Sequence, residues 1–439
     1  MSLRSPSSDE GRTAPAGDPI MKTLLPVFCG LLLFALAARA GEAVPAATTD
    51  STAAEVSDSA GVAADSLSVP QRDVFDLLNE YVLHRRVEPE AGGTTRTGLS
   101  WAILPTFGYN PVSGFSVGAM VSGAGRRGIK SSRFSQLSIS GNVSTTGQIQ
   151  AQVRGDVFSP SGDYLLKADF RYLDTKRSTW GLGPASPDQE EYPMEFDLVR
   201  VYATAYRRAS GPVFIGVGYH YDQFYNIVDT RAQNGEVTPF ASYNEGDLTS
   251  TIATGISLNV LGDTRDNLAN PSSGYYLSGS FRAYISDFGS NHNWQEWWTE
   301  MRVYPHVPRR SRNVLAFWLY SWMSFGKAPY LNLPANGWDT YGRGARGYLQ
   351  GRIRGSSQIY LESEYRWSLT RDGLWGMVAF LNATGTTEQE SETFGKTDWG
   401  GGVGLRVKLN KHANTNVTID YGWGTVGSRG FFLGMSEVF

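Results

Sequence analysis

Two stretches near the end of the chain, Gly402-Val-Gly-Leu-Arg-Val-Lys-Leu409 and Val417-Thr-Ile-Asp-Tyr-Gly-Trp423, decide the fold. In both, large apolar side chains alternate with glycine or with polar and charged side chains. A period of two residues is that of a β-strand whose two faces have different surroundings. The same alternation occurs at Ile149–Val157 and Tyr164–Arg171. From about Leu99 onward, the pattern predicts strands with one apolar face and one polar face.

The number of these segments and the lengths of their connections favour one architecture. Alternation alone would also suit a soluble sandwich. We predict sixteen strands, however, and bacterial membrane barrels have an even number. Their cores begin near Trp101, Phe115, Phe134, Ile149, Tyr164, Phe196, Val213, Thr249, Tyr275, Trp294, Val314, Gln358, Leu374, Gly400, Asn416 and Phe431. The last strand is expected to run from Phe431 to Phe439.

Loop lengths separate the two ends of the predicted barrel. The connections after even-numbered strands are short, at 159–163, 207–212, 371–373 and 410–414. Several after odd-numbered strands are long, at 174–193, 229–247 and 326–355. Short turns on the periplasmic side and long loops on the outer side are typical of outer-membrane barrels. The predicted fold class is therefore all-β, a closed antiparallel transmembrane barrel, residues 99–439.

The region before the barrel is predicted to contain an export signal. Lys22, the apolar stretch Leu24–Ala37 and the small-x-small sequence Ala38-Arg39-Ala40 form a cleavable signal within residues 1–40, with Met21 as the true start. The single cysteine, Cys29, lies inside it. Together with a barrel, export predicts a location in the bacterial outer membrane.

Two further segments connect this signal to the barrel. Residues 41–70 are rich in Ala, Ser, Thr and Asp and are predicted to be a disordered linker. Residues 71–98 are predicted to hold a short amphipathic helix and a connector, because Val74, Leu77, Leu78, Tyr81 and Val82 have helical spacing. The helix either plugs the barrel or packs on its rim, and the sequence leaves both alternatives open.

Composition and motifs give no case for several other classes of function. A formal net charge of −3 provides no basic face for nucleic acid. No Gly-x-Ser-x-Gly nucleophile motif and no metal-ligand spacing occurs. His220 and Asp222 share a face of one predicted strand without a nucleophile context, which favours a lumen or girdle histidine. We therefore predict no catalytic site, no metal and no cofactor.

Aromatic residues are expected at the membrane interfaces. Trp and Tyr side chains concentrate there because their rings have an apolar body and a polar group. The predicted girdle residues on the strands near the middle of the chain are Trp294, Trp297, Trp298, Trp318, Tyr320 and Trp322.

The longest loop, 326–355, carries the segment Tyr341-Gly-Arg-Gly344-Ala345-Arg346-Gly347-Tyr348. Loops of this length are usually functional or disordered. The strand that follows, Gln358–Ser368, places Glu362, Glu364 and Arg366 on one face, opposite Leu361, Tyr365 and Trp367. If the loop folds into the lumen, Arg346 can pair with Glu364. The alternative is an external loop with a solvated arginine.

These segments resemble the bacterial surface antigen family, the barrel of the outer-membrane assembly-factor superfamily. Gly344 to Tyr348 resembles its Val-Arg-Gly-Phe/Tyr loop signature. A second match resembles its periplasmic turn and comprises Asp263-Thr-Arg265-Asp266-Asn267 and Asn270-Pro271-Ser-Ser-Gly274-Tyr-Tyr276. A third is Glu364-Tyr-Arg-Trp367, and the sequence ends on Phe439, the position of the family's C-terminal signal. That superfamily includes the central subunit of the β-barrel assembly machinery, translocation-and-assembly factors and two-partner secretion transporters.

The resemblance implies a sixteen-stranded barrel with the signature loop between strands eleven and twelve. It also implies a first and last strand that pair weakly and open sideways. Two departures stand out. Asn382 occupies a position that is usually Asp, which leaves Glu364, with Glu362 beside it, as the expected partner of Arg346. Residues 41–98 are too few for a polypeptide-transport-associated domain, which suggests the subgroup without such domains.

The function implied is non-enzymatic help in the assembly or transport of proteins or lipids at the outer membrane. The expected partners are outer-membrane lipids, a periplasmic protein and protein or lipid cargo. A passive channel or a structural, surface-exposed barrel is the alternative, since lumen residues of both charge signs imply little ion selectivity.

Overall fold

The computed structural model describes residues 71–82, 84, 98–110, 113–126, 133–186, 190–243, 248–308, 311–339, 342–388, 393–411 and 414–439. The predicted signal region (1–40), the predicted linker (41–70) and most of the connector to the barrel lie outside the described residues. Within the described part, every helix is too short and too polar to cross a bilayer.

Sixteen antiparallel strands form one closed barrel in which each strand pairs with its sequence neighbours and β1 adjoins β16. The predicted fold class and strand number are confirmed. The strands are β1 (Gly98–Asn110), β2 (Gly114–Arg126), β3 (Phe134–Ser144), β4 (Ile149–Phe158), β5 (Tyr164–Thr179), β6 (Tyr192–Ser210), β7 (Val213–Asp229), β8 (Thr251–Asp263), β9 (Tyr275–Tyr284), β10 (Trp294–Val303), β11 (Val314–Gly326), β12 (Ser357–Ser368), β13 (Trp375–Thr386), β14 (Asp398–Asn410), β15 (Thr415–Gly424) and β16 (Arg429–Met435).

The alternation that predicts the strands separates the outside of the barrel from its lumen. On β14, Val403 is 46% exposed and Arg406 is 4% exposed. On β15, Tyr421 is 44% exposed and Asp420 is 3% exposed. An apolar outer face around a polar interior is the arrangement of a transmembrane barrel. The barrel is therefore of the bacterial outer-membrane type.

Two predicted boundaries are wrong. The connection expected at 174–193 is shorter, because β5 and β6 stay paired as far as Thr179 opposite Tyr192. The last strand does not reach Phe439, since β16 ends at Met435. Ser436 takes a φ of 66°, and residues 436–439, here called the tail, turn into the lumen, where Glu437 and Phe439 are buried.

Most of the predicted girdle lies inside the barrel instead. Among those six residues, Trp297 is half-buried and contacts Phe281 across the neighbouring strand, with 6.0 Å between ring centroids. The other five, Trp294, Trp298, Trp318, Tyr320 and Trp322, are buried. They are buried because the lumen is filled by a loop and the tail. The exposed tryptophans are Trp101, Trp375, Trp399 and Trp423.

A short helix precedes the barrel. Helix α1 (Val74–Leu77) continues into a wider turn, Leu78–Val82. It begins with a capping box, in which the Asp73 side chain accepts from the main-chain N–H of Asp76 and Asp76 accepts from that of Asp73. Lys411, in the turn after β14, donates from Nζ to Asp76 at 2.9 Å. The N–H of Arg72 donates to the main-chain oxygen of Asp372, in the turn after β12. These contacts place the helix on the rim, the second of the two alternatives.

Outer loops add two more short helices, α2 (Thr230–Gln233) and α3 (Pro239–Tyr243). Phe240 of α3 is buried against Tyr330 of the β11–β12 loop, with 5.7 Å between ring centroids. Thr179 at the end of β5 hydrogen-bonds the Tyr330 hydroxyl at 2.6 Å. Arg354 donates to the main-chain oxygen of Tyr330 at 2.9 Å. The loops on this side thus pack on one another over the lumen.

Candidate functional site in the lumen

The loop between β11 and β12 lies inside the barrel. Ala345 is completely buried, and its N–H donates to the Tyr360 hydroxyl at 2.9 Å. Asp339 holds the turn before it, because its Oδ2 accepts from the N–H of Gly344 at 2.7 Å. Gly347 has a φ of 106°, and a Cβ there would lie 2.6 Å from the main-chain oxygen of Trp423. Only glycine fits at such a position, where φ is positive and the backbones are close.

Arg346 is at the centre of the site. Its guanidinium pairs with Glu362 and Glu364 of β12, and with Asp420 of β15 at 3.0 Å. The same group lies over the Phe380 ring, 3.7 Å from its centroid. Burial alone would lower the pKa of Arg346, but the attraction of the carboxylates outweighs it and raises this pKa well above its ordinary value. The arginine is therefore a permanent cation that connects two walls of the barrel.

Two more arginines extend the network. Arg366 Nε donates to Glu364 Oε1 at 2.6 Å. Arg406 Nη1 donates to Asp420 Oδ1 at 2.6 Å, and its Nε donates to Glu437 Oε2 of the tail at 2.8 Å. Carboxylates and guanidiniums thus alternate from β12 to β15 and the tail. Removing one member would leave its partners buried and uncompensated, which is strongly destabilising.

The structure brings together the partners that the sequence predicts for Arg346, but their roles differ. Glu364 and Glu362 both contact Arg346. Asn382 is also present, but its amide donates to the main-chain oxygen of Arg346 at 3.0 Å and supplies no charge. Sequence reasoning missed Asp420 as a partner. Its signal was present, because it lies on the polar face of a strand that alternates clearly.

The predicted periplasmic turn, between β8 and β9, is held by Asp266. Its Oδ1 accepts main-chain N–H groups of Ser272 at 2.9 Å and Ser273 at 3.1 Å. Gly274 has a φ of 88°, and a Cβ there would lie 2.3 Å from the main-chain oxygen of Thr264. Arg265 pairs with Asp263 at 2.7 Å beside it. The main-chain oxygen of Pro271 accepts from Arg366 at 3.1 Å, so the turn contacts the lumen network.

Phe439 is buried in the lumen, and does not continue the outer face of β16. Its ring centroid lies 5.4 Å from that of Trp318 on β11. Arg366 donates to its main-chain oxygen at 2.8 Å. Arg343 of the loop donates to the main-chain oxygen of Met435 at 3.1 Å. The tail therefore has partners on the loop and on β11 and β12.

A cavity of about 590 Å³ remains in the lumen beside the tail. Polar side chains of β3 and β4 line one wall of it, with neutral Ser138, Ser140, Asn142, Gln150 and Gln152 beside the charged Arg154 and Asp156. Residues 434–439 line another part. The tail thus separates the arginine network from open space in the lumen.

The seam between the first and last strands is weakly paired. β1 and β2 pair along their whole lengths, from Gly98 opposite Arg126 to Asn110 opposite Gly114. In the described part of the chain, β1 and β16 are in register at Tyr109 opposite Leu433 alone. The tail residues, which could have continued this ladder, lie in the lumen instead.

The histidine candidate does not form a catalytic arrangement. His220 Nε2 hydrogen-bonds Ser257 Oγ at 2.8 Å, but its Nδ1 is buried without a hydrogen-bond partner. Asp222 instead accepts from Arg200 at 2.7 Å and Tyr202 at 2.6 Å. A Ser-His pair needs a group that orients the imidazole. The described residues also hold no cluster of three or more His, Cys, Asp or Glu side chains suited to a metal.

Comparison with known proteins gives matches of structure only. No protein-family model matches the chain, and no curated protein is similar to it in sequence. Among solved structures, CdiB from Escherichia coli superposes with a TM-score of 0.50 at 14% identity, over 76% of this chain and 63% of that one.

Two further structures score slightly lower. BamA from Haemophilus ducreyi lacking POTRA domains 1–3 gives 0.49 at 14% identity, over 77% and 70% of the two chains. CdiB from Acinetobacter baumannii gives 0.47 at 12% identity, over 78% and 60%. The chain therefore spans less than two thirds of the length of either CdiB. The likeness to CdiB from Escherichia coli confirms the barrel fold that the resemblance implies.

Proposed function

We propose that this barrel assists the assembly or transport of proteins or lipids at the outer membrane, without catalysing a reaction. The observation that carries the proposal is the seam, where Tyr109 and Leu433 form the only paired position in the described part of the chain. A ladder of main-chain hydrogen bonds resists opening, and this seam has almost none to break. Cargo could therefore enter the bilayer sideways between β1 and β16.

The lumen supports the same proposal. The loop that carries Arg346 fills the interior and is bonded to β12 and β15, so the wall on the β16 side of the seam is braced from inside. A wall that is supported from inside beside a weakly paired seam can open there without collapsing. The resemblance of the loop and turn segments to an assembly-factor superfamily points in the same direction.

A disulfide across the seam tests this function. Antiparallel partners have Cα atoms about 4.5–5.5 Å apart, within the range of a disulfide. The double variant Tyr109→Cys, Leu433→Cys should therefore crosslink on oxidation in the native outer membrane. Locking the seam should reproduce the changes in outer-membrane protein and lipid profiles caused by deleting the gene. Reduction should restore the normal profile.

The matched control joins strands that are already fully paired. Tyr109→Cys with Phe115→Cys crosslinks β1 to β2, whose register places these residues opposite each other. This variant should behave like the wild type. If the locked seam also leaves both profiles normal while deletion changes them, opening of the seam is not used and the proposal fails.

A passive channel or a structural barrel is the alternative function. The cavity of about 590 Å³ is the observation in its favour. The loops packed over the lumen around Tyr330 count against free passage. A steady conductance in planar bilayers that the seam disulfide leaves unchanged, together with normal membrane profiles, would favour the channel.

A further inference from the structure

We propose that the lumen site occupied by the tail is a peptide-binding site, which takes a segment of another protein carrying a carboxylate and, two residues later, an aromatic side chain. The tail of this chain is then its resident competitor. The inference deepens the proposed function, on which it rests, by naming the chemistry of one class of partner.

The carboxylate part of the site is fully formed. Glu437 is 4% exposed, and one oxygen accepts from Arg406 while the other accepts from Asn416 Nδ2 at 2.6 Å. Burial alone would raise the pKa of Glu437, but Arg406 and Arg366 lower it below its usual range. Both oxygens of the anion are therefore satisfied by side chains that belong to β14 and β15. An uncharged side chain in the place of Glu437 would leave Arg406 with one carboxylate fewer to pair with.

The aromatic part lies beside it, against β11 and β12. Phe439 is 3% exposed and packs between Trp318, at 5.4 Å, and the Arg366 guanidinium, at 5.3 Å from its ring centroid. Aromatic pairs at such distances attract each other beyond the effect of the area that they bury. The site thus distinguishes an aromatic side chain from a small one.

Main-chain contacts suit any peptide in the same position. Arg343 donates to the main-chain oxygens of Met435 and Glu437. The N–H of Glu437 donates to the main-chain oxygen of Ala269 at 3.3 Å, and Arg366 donates to that of Phe439. These groups recognise a backbone and not a sequence, so the two side-chain subsites supply the preference.

Three features make the tail replaceable. Every group that binds it belongs to another element: the loop, the β8–β9 turn, β11, β12, β14 or β15. Ser436 is held at a φ of 66°, which is strained for a residue with a side chain, so returning it to an extended conformation relieves strain. The neighbouring cavity of about 590 Å³ gives a second peptide room to approach.

Peptide binding to the purified barrel tests this. The probe is a fluorescein-labelled peptide with the sequence of residues 434–439, added to the refolded chain and to a variant that ends at Met435. Anisotropy should show saturable binding to the shortened barrel. The full chain should bind at least tenfold more weakly, because a tethered competitor has an effective concentration in the millimolar range.

Matched peptides and one barrel variant control for specificity. Peptides with Glu437→Gln or Phe439→Ala should bind the shortened barrel at least tenfold more weakly than the parent. Asn416→Leu in the shortened barrel should weaken binding of the parent peptide, but not of the Glu437→Gln peptide. Equal binding of all three peptides, or no binding by a folded shortened barrel, would overturn the proposal.

A second variant is available if the shortened chain does not fold, as judged by heat-modifiable migration in gels. The full-length double variant Glu437→Gln, Phe439→Ala keeps the tail but weakens its hold, and it should bind the parent peptide more tightly than wild type does. The result separates the two proposals. Peptide binding, together with a seam disulfide that leaves the membrane profiles unchanged, would support the site and reject the proposed function. No peptide binding, together with a seam disulfide that changes the profiles, would reject only the site.

Discussion

At the scale of single residues, Arg346 determines whether the loop stays in the lumen. It satisfies Glu362, Glu364 and Asp420 at once, and each of these carboxylates is at most 5% exposed. A planar guanidinium with five donors can serve three acceptors, whereas an ammonium is a single point charge. The charge and the shape of the side chain therefore both matter here.

We expect Arg346→Ala to destabilise the barrel by about 3–5 kcal/mol, because it leaves three buried carboxylates short of a partner. Urea unfolding of the refolded barrel, followed by tryptophan fluorescence, measures this. Arg346→Lys should be intermediate. Arg371→Ala, in an exposed turn, is the control and should stay within about 0.5 kcal/mol of wild type. A wild-type midpoint for Arg346→Ala would contradict the assigned role.

The turn glycine Gly274 allows a sharp comparison with Gly211. Both have a positive φ, of 88° and 53°, but an added Cβ at 274 would lie 2.3 Å from the oxygen of Thr264 while nothing lies within 4 Å at 211. We expect Gly211→Ala to cost about 1–2 kcal/mol from backbone strain alone. Gly274→Ala should cost clearly more, measured in the same unfolding experiment. Equal losses of stability in the two variants would show that the contact between the added Cβ and the Thr264 oxygen does not destabilise the fold.

At the scale of elements, the tail is a separate unit whose attachment depends on charge. Arg406 and Arg366 lower the pKa of Glu437 against the opposing effect of burial. A group whose pKa is depressed by folding stabilises the folded form above its unfolded pKa, and this contribution is lost as the pH falls through the folded value. The tail should therefore be held at neutral pH and released in acid, below the usual range for glutamate.

A spin label at Val438→Cys can detect this release. The label should be immobile at neutral pH and gain a mobile component as the pH falls below the ordinary pKa of a glutamate. Adding Glu437→Gln should increase mobility at neutral pH and remove most of the pH dependence. A label that stays equally immobile across the range, in either background, would mean that the ion pair does not hold the tail.

Strand pairing was predictable from sequence, but what fills the lumen was only partly so. Alternation fixes which residues share a face, as for Arg406 and Asp420, and loop lengths fix which ends are together. Alternation does not say which face is inside when both carry large side chains. On β10, Trp297 and Trp298 point to opposite sides, and only packing inside the barrel, where Trp298 stacks on Tyr320 with 4.9 Å between ring centroids, decides that Trp298 is buried.

The tail was missed for a related reason. Phe431 to Phe439 continues a plausible strand pattern, and nothing local marks Ser436 as the point of departure. The partners that draw the tail inward, Trp318, Arg366 and Arg406, are distant in sequence. Arg346 with Glu364 could be anticipated because both lie near one motif and one strand face. Asp420 required the register of the closed barrel.

At the scale of the whole molecule, the signature loop and the tail fill much of the interior and leave a cavity of about 590 Å³ beside the tail. Asn336 and Gly351 share a hydrogen bond of 2.9 Å at the base of the signature loop, so 337–350 can be excised there. We expect the wild-type barrel to conduct little in planar bilayers, and replacement of 337–350 by two glycines to raise the conductance several-fold. Unchanged conductance in a folded variant would mean that the loop does not obstruct the lumen.

Because the tail turns inward, the diameter of the barrel depends on contacts inside the lumen as well as on strand pairing. In most barrels, main-chain hydrogen bonds between the first and last strands close the barrel. Here the tail after β16 also packs, through Phe439, against Trp318 on β11, five strands away around the barrel. This contact inside the lumen therefore adds to the weak pairing at the seam in holding the barrel closed. Removing the contact between Phe439 and Trp318 should let the barrel widen. A change at the tail would then alter the diameter of the whole barrel.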